Sequence, residues 1–200
     1  MSTAILEMPT QTTDRTTPVP AGVDRIVLTG FMGSGKTTVG ALLAEELGWR
    51  FLDLDREIER REGRSVPQIF SESGERRFRH AETAALASLL GLRHVVIALG
   101  GGAPEELGNR LLLEQTPRTA VVYLAAPFEV LVERCRLQAA DPDATARPVL
   151  ADVAVAATRF AGRRPHYERL AAHTVETEGD SAEESVRAVL AKLNAGAGRG

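Results

Sequence analysis

The sequence predicts an α/β fold, a parallel sheet with helices packed on both faces. Four or five short apolar, β-branched runs alternate with helical stretches along the 200 residues. The clearest run, Ile26-Val27-Leu28, shows no polar alternation, as expected of a strand buried on both faces. It leads straight into "GFMGSGKTTVG", Gly30 to Gly40, a glycine-rich turn that opens onto helical spacing.

The elements follow in order. "RIVLTG", Arg25 to Gly30, is the first strand. "KTTVGALLAEELG" places Val39, Leu42, Leu43 and Leu47 at helical spacing, with Gly48 as a C-terminal cap. "RFLDLD", Arg50 to Asp55, is a second strand ending in two acids. A helical stretch broken near Gly63 and Pro67 follows, and a longer one runs from about Gly74 to Leu90. "HVVIALGGGA" is a third buried-type strand running into glycines. A helix from about Pro104 to Gln115 leads to "TAVVYL", the fourth strand, and the next helix starts near Pro127. "AADPDATARP", Ala139 to Pro148, is the most loop-like internal stretch. A helix carrying arginines comes next, then "HTVET" as a candidate fifth strand, and a last helix from Ser181 to about Asn194.

Residues 1–22, rich in Thr and Pro, read as a disordered tail, and residues 195–200 as a frayed end. A single domain, 23–194, lies between them, and it has enough chain for a sizeable core. The tail lacks the basic and apolar regions of a signal peptide. No apolar run reaches the length of a membrane span. A net charge of −3 and a pI near 5.9 give no electrostatic footprint for nucleic acid or an anionic membrane. Cys135 is the only cysteine, which excludes an internal disulfide and fits a reducing compartment. A cytoplasmic monomer is expected.

The chemistry concentrates in the glycine turn. Gly30, Gly35, Lys36 and Thr37 satisfy G-x-x-x-x-G-K-[ST], and Lys36 is one of only two lysines in a chain that otherwise uses arginine. Between a strand and a helix N-terminus, such a loop presents backbone N–H groups to phosphates where the macrodipole also favours negative charge. A compact ammonium reaches between phosphate oxygens, and Thr37 offers a hydroxyl to Mg²⁺. The loop therefore predicts binding of a nucleoside triphosphate.

Further along, Asp53 and Asp55 point the same way if the backbone there is extended; the plainer alternative is a strand end with Asp55 capping the next helix. "GERRFRHAE" sets Phe78, Arg79 and Glu82 on a helix, Arg79 and Glu82 sharing one face. That spacing suits either a surface ion pair or a guanidinium held to grip a carboxylate bidentately. Gly100 to Gly102 suit close backbone approach to a ligand, and "RRPHY", Arg163 to Tyr167, offers another cation near a chain bend.

In this order and approximate spacing, "GFMGSGKTTVG", "D-L-D", "GE--FR--E", "GGG", "RP-L" and "R-P-Y" resemble the shikimate kinase family over roughly Arg25 to Leu193. The resemblance implies a five-stranded parallel sheet of the nucleoside-monophosphate-kinase type, a P-loop kinase. It implies an acceptor-binding segment at about 54–90 and a mobile lid at about 138–150. The implied activity is ATP- and Mg²⁺-dependent phosphorylation of the shikimate 3-hydroxyl, a step toward chorismate and the aromatic amino acids. Gly33, Ser34, Gly35, Lys36, Thr37 and Thr38 would hold the phosphates, with Thr37 and Asp53 on Mg²⁺. Asp55 would orient or deprotonate the attacking hydroxyl. Arg79 and Arg163 would clamp the carboxylate, and the Gly101 N–H would contact a ring hydroxyl. Arg134 would lie against the adenine, and Arg147 in the lid would reach the transferring phosphate. The stretch from Arg134 to Arg147 is longer than the family pattern. Between Arg163 and Arg164, counting back from Pro165 and Tyr167 favours Arg163. The rival readings are a kinase of another small acceptor, such as gluconate or a nucleoside monophosphate, and a catalytically silent ligand-binding relative.

Overall fold

The computed structural model describes residues 22–139 and 152–197. Five strands, β1 (Arg25–Thr29), β2 (Arg50–Asp53), β3 (Val95–Ala98), β4 (Thr119–Ala125) and β5 (His173–Glu176), form one sheet in the order β2-β3-β1-β4-β5. Every neighbouring pair is parallel, with Arg25 opposite Val95 on one side and Thr119 on the other. The helices are α1 (Lys36–Leu47), α2 (Leu54–Glu62), α3 (Val66–Leu90), α4 (Leu107–Gln115), α5 (Phe128–Ala139), α6 (Val153–Leu170) and α7 (Ala182–Ala197). A 3-10 turn, Ala103–Glu105, precedes α4.

The period of two along each strand decides which helices cover which face. Ile26 and Leu28 point toward α1 and α7, where Val39, Leu43, Leu47, Val189 and Leu193 complete one apolar layer. Val27, between them, points the other way and joins Ile97, Ile58, Ile69, Leu86 and Leu113 from β3, α2, α3 and α4. Ile26, Val27 and Leu28 are all fully buried, so each contributes about 1.5–3 kcal/mol of burial, an upper figure against an extended chain. A third cluster, around Phe31, Tyr123, Leu131 and Tyr167, lies beside the glycine turn.

Local chemistry shifts several expected boundaries. The second strand ends at Asp53, not Asp55, because the Asp53 carboxylate accepts from the Asp55 and Arg56 N–H groups and starts α2. Asp53 is thus the cap, and Asp55 lies in the first helical turn, not on an extended backbone beside it. Gly63, with φ 64°, ends α2, and a capping box of Ser65 and Gln68 starts α3 with Pro67 in its first turn. α3 bends at Gly74, whose φ of 78° and ψ of 168° are not helical. The helix expected from Pro104 is split into the 3-10 turn and α4. "RRPHY" lies inside α6 and not at a chain bend, Pro165 included. The last helix runs on to Ala197. The tail expected at 1–22 and the lid expected at about 138–150 fall almost wholly outside the described residues.

With β3 and β4 flanking β1, the segments after these three strands emerge side by side at their carboxyl ends. The Leu99 N–H donates to Leu28 O at 3.0 Å, tying the post-β3 chain to the end of β1. Ligands of open parallel sheets bind at such an edge.

Candidate active site

The turn from Gly30 to Gly35 is shaped by what surrounds it. A Cβ at Gly30 would lie 2.7 Å from Leu124 O, and one at Gly33 would lie 2.5 Å from Leu131 O on α5. Both residues also have positive φ, 146° and 76°. Only glycine satisfies space and dihedral together. Lys36 Nζ folds back over this turn, donating to Gly30 O at 2.9 Å and Phe31 O at 2.8 Å. The N-cap of α1, Gly35, makes no side-chain cap bond, and the N-terminus of a helix favours an anion. Ser34, in the same turn, is buried and its Oγ has no hydrogen-bond partner among the described residues, whereas Thr38 is exposed.

Thr37 Oγ1 donates to Asp53 Oδ2 at 3.2 Å, bringing the start of α1 against the end of β2. A hydroxyl and a carboxylate oxygen are hard donors, the type that Mg²⁺ takes alongside phosphate oxygens and water. The pair therefore fits that ion, with the second Asp53 oxygen committed to the α2 cap.

The three glycines after β3 carry the other half of the site. A methyl at Gly100 would lie 2.7 Å from Asp55 Oδ1 and 3.3 Å from Glu82 Oε1. One at Gly102 would lie 2.7 Å from Arg79 Nη2 and 3.0 Å from Arg163 Nη2. Between them, Gly101 faces Arg163 Nη1, and its carbonyl accepts from the Tyr167 hydroxyl. The glycine strip therefore has Asp55 at one end and two guanidinium groups at the other. Tyr167 is fully buried, and burial raises its hydroxyl pKa, so it stays a neutral donor that pins the strip.

Arg79 is held by its own helix, Nη1 donating to Glu82 Oε2 at 2.9 Å. Glu82 is fully buried, and Asn109 Nδ2 from α4 also donates to its Oε2, at 3.3 Å. Burial pushes the Glu82 carboxyl up to about 7, against the pull of Arg79 and with a further push from Asp55. Arg163 and Arg164 part company on α6, where successive side chains point about 100° apart. Arg163 is 17 % exposed and donates to Glu105 at 2.8 Å; Arg164 is 60 % exposed and pairs with Glu168 on its own helix. Arg134 donates to Thr177 just after β5. Arg147 lies outside the described residues.

Sequence reasoning assigned no role to Tyr167, Asn109 or Glu105. "RRPHY" contained the tyrosine, and the "PEE" after the glycines contained the glutamate, but contacts 66 and 58 residues apart leave no local signal.

The chain as a whole has known relatives. The family model described as "Shikimate kinase" matches residues 32–194. A shikimate kinase of Neisseria gonorrhoeae is 40% identical over 177 residues, covering 85% of this chain and 96% of the relative. A solved shikimate kinase from Acinetobacter baumannii, in complex with shikimate, superposes with a TM-score of 0.76 at 37% identity, over 87% of this chain and 94% of that one. A gluconokinase from Sinorhizobium meliloti 1021 reaches a TM-score of 0.56 at 22% identity, over 88% of this chain and 94% of that one, a likeness of fold alone. A family model that spans most of the chain, a relative 40% identical and a solved structure of the same fold point one way: this chain is a phosphotransferase and belongs to the shikimate kinase family.

Proposed function

We propose that the chain transfers the γ-phosphoryl group of ATP to the 3-hydroxyl of shikimate, with Mg²⁺ as the metal. The observation that supports the acceptor is the convergence of Arg79 and Arg163 on Gly102, with Asp55 at the other end of the same glycine strip. A ring bearing a carboxylate and hydroxyls matches that spacing of cations and acid. A nucleobase offers no carboxylate, and gluconate lacks a rigid ring to span the strip.

In this reading each residue acts on charge or orientation. The N–H groups of Gly33, Gly35, Lys36, Thr37 and Thr38, with the Ser34 side of the turn, bind the phosphates. Lys36 moves its ammonium from loop carbonyls to phosphate oxygens, meeting charge that grows during transfer. Thr37 and Asp53 hold Mg²⁺, which supplies positive charge to the phosphates when bound. Asp55 accepts from the attacking hydroxyl, orienting it and taking its proton. Arg79 and Arg163 grip the carboxylate as planar forks, and the Gly101 N–H bonds a ring hydroxyl. Arg134 flanks the adenine; the part that the family resemblance gives Arg147, on the transferring phosphate, lies outside the described residues. The protein works as a cytoplasmic monomer without nucleic acid or membrane; among the described residues no helix is long and apolar enough to cross a membrane.

The test is coupled ADP release with shikimate, quinate, gluconate and nucleoside monophosphates offered in turn. Shikimate should dominate kcat/KM by orders of magnitude. Comparable turnover of gluconate would overturn the acceptor, and silence with every compound would favour a ligand-binding relative without catalysis.

A further inference from the structure

Four carboxylates surround the two clamp arginines. Arg79 lies 2.9 Å from Glu82, 3.2 Å from Glu75, 3.8 Å from Glu106 and 3.9 Å from Glu105. Arg163 Nε lies 2.8 Å from Glu105. A single oxygen, Glu105 Oε2, thus faces both guanidinium groups. The two guanidiniums also crowd the same glycine, each with a nitrogen within 3.0 Å of where a Gly102 Cβ would stand. Like charges brought this close need an anion with them.

The four acids are not equivalent. Glu82 is fully buried and fixed by Arg79 and Asn109. Glu75 and Glu106 approach Arg79, and neither has an ion pair with Arg163 among the described residues. Among the described residues, Glu105 alone bridges the pair. It ends a three-residue 3-10 turn directly after the glycines, and its side chain is 39 % exposed, so it can rotate into water without disturbing the core.

We infer that Glu105 is an affinity-setting residue for the acceptor. In the free protein its carboxylate takes the place of the acceptor's carboxylate between Arg79 and Arg163, and it swings out when the acceptor arrives. Glu105 thereby keeps the two arginines neutralised and aimed at one point before binding. The acceptor must replace that ion pair, so its observed affinity is lower than the clamp alone would give. The inference rests on the preceding reading of Arg79 and Arg163 as a carboxylate clamp.

The test is calorimetric titration of shikimate into nucleotide-free protein, using wild type, E105Q, R163A and the E105Q/R163A double variant, with melting temperatures as a check of folding. E105Q should bind shikimate up to about fivefold more tightly, the range for releasing a part-exposed ion pair. In the R163A background the same change should give a clearly smaller gain, because only the longer contact to Arg79 is left to release. Equal or weaker binding by a normally melting E105Q overturns the inference. So does a gain that persists in full in the R163A background, since that reports only the loss of a nearby negative charge. If R163A itself binds shikimate as wild type does, the clamp reading fails, whatever E105Q shows. If R163A is weakened and E105Q is not improved, the role of Glu105 alone fails.

Discussion

Replacing Arg163 with alanine removes one fork of the proposed carboxylate clamp while leaving the total charge change identical to that of Arg164→Ala on the same helix. Bulk electrostatics would make the two variants equivalent; the geometry does not. Arg163 is mostly buried against Gly101 and Gly102 and reaches Glu105, whereas Arg164 projects outward and pairs with Glu168. Losing a charged hydrogen-bonding partner of a desolvated carboxylate costs on the order of 2–5 kcal/mol. The residual exposure of Arg163 argues for the lower part of that range, and its existing pair with Glu105, worth up to about 1 kcal/mol, is lost from the free protein as well. A net loss of about 2 kcal/mol raises the shikimate KM roughly 30-fold. The ATP KM should hold within about twofold, since the phosphate turn is built from α1 and β1. Arg164→Ala gives up an exposed i,i+4 pair and should shift the shikimate KM by less than about threefold. Steady-state kinetics varying each substrate against the other separates these effects. Equal KM changes for the two variants, or a larger one for Arg164→Ala, would refute the assignment of Arg163 to the acceptor carboxylate.

Three further outcomes follow from the same geometry. Lys36→Met should fold normally by circular dichroism and lose at least about 100-fold in kcat; Lys36→Arg should fare little better, because the turn carbonyls at 2.8–2.9 Å enclose a compact ammonium. Asp53→Asn keeps the cap of α2 and should raise the Mg²⁺ concentration needed for half-maximal rate, whereas Asp55→Asn should lower kcat about 10²–10⁴-fold with an unchanged Mg²⁺ requirement; identical Mg²⁺ titrations for both would undo this division. Burial raises the Glu82 carboxyl from 4.5 to about 7, so the folded state binds its proton more tightly than the unfolded state: stability should be fully present below pH 4.5 and fall as pH climbs to about 7. Urea denaturation between pH 5 and 8 should show that decline in wild type and a flatter profile in Glu82→Gln; parallel profiles would contradict it.

Much of the fold is legible in the sequence because its strands are apolar on both faces. Ile26-Val27-Leu28 and Val95-Val96-Ile97 read as buried strands whatever their neighbours. The phosphate turn is equally legible, since its glycines answer to local dihedrals and close approach. The end of β2 is not, because "DLD" can extend or cap. The outcome turns on which backbone N–H groups the Asp53 carboxylate accepts from. At the clamp, Arg79 and Glu82 announce themselves three residues apart on one helix. Glu105, Asn109 and Tyr167 do not, because each meets its partner only after the sheet has brought distant segments together. The arginine pair in "RRPHY" is separated by helical phase, which becomes decisive only once the segment is seen inside α6 and not at a bend.

The central claim, transfer from ATP to one hydroxyl of a ring acid, is tested most directly by phosphorus–proton correlation NMR of the reaction with shikimate. The account predicts one new phosphate ester, coupled to the proton on the carbon bearing the 3-hydroxyl, formed in step with ADP. An ester on another hydroxyl, or ADP appearing without any ester, would contradict it.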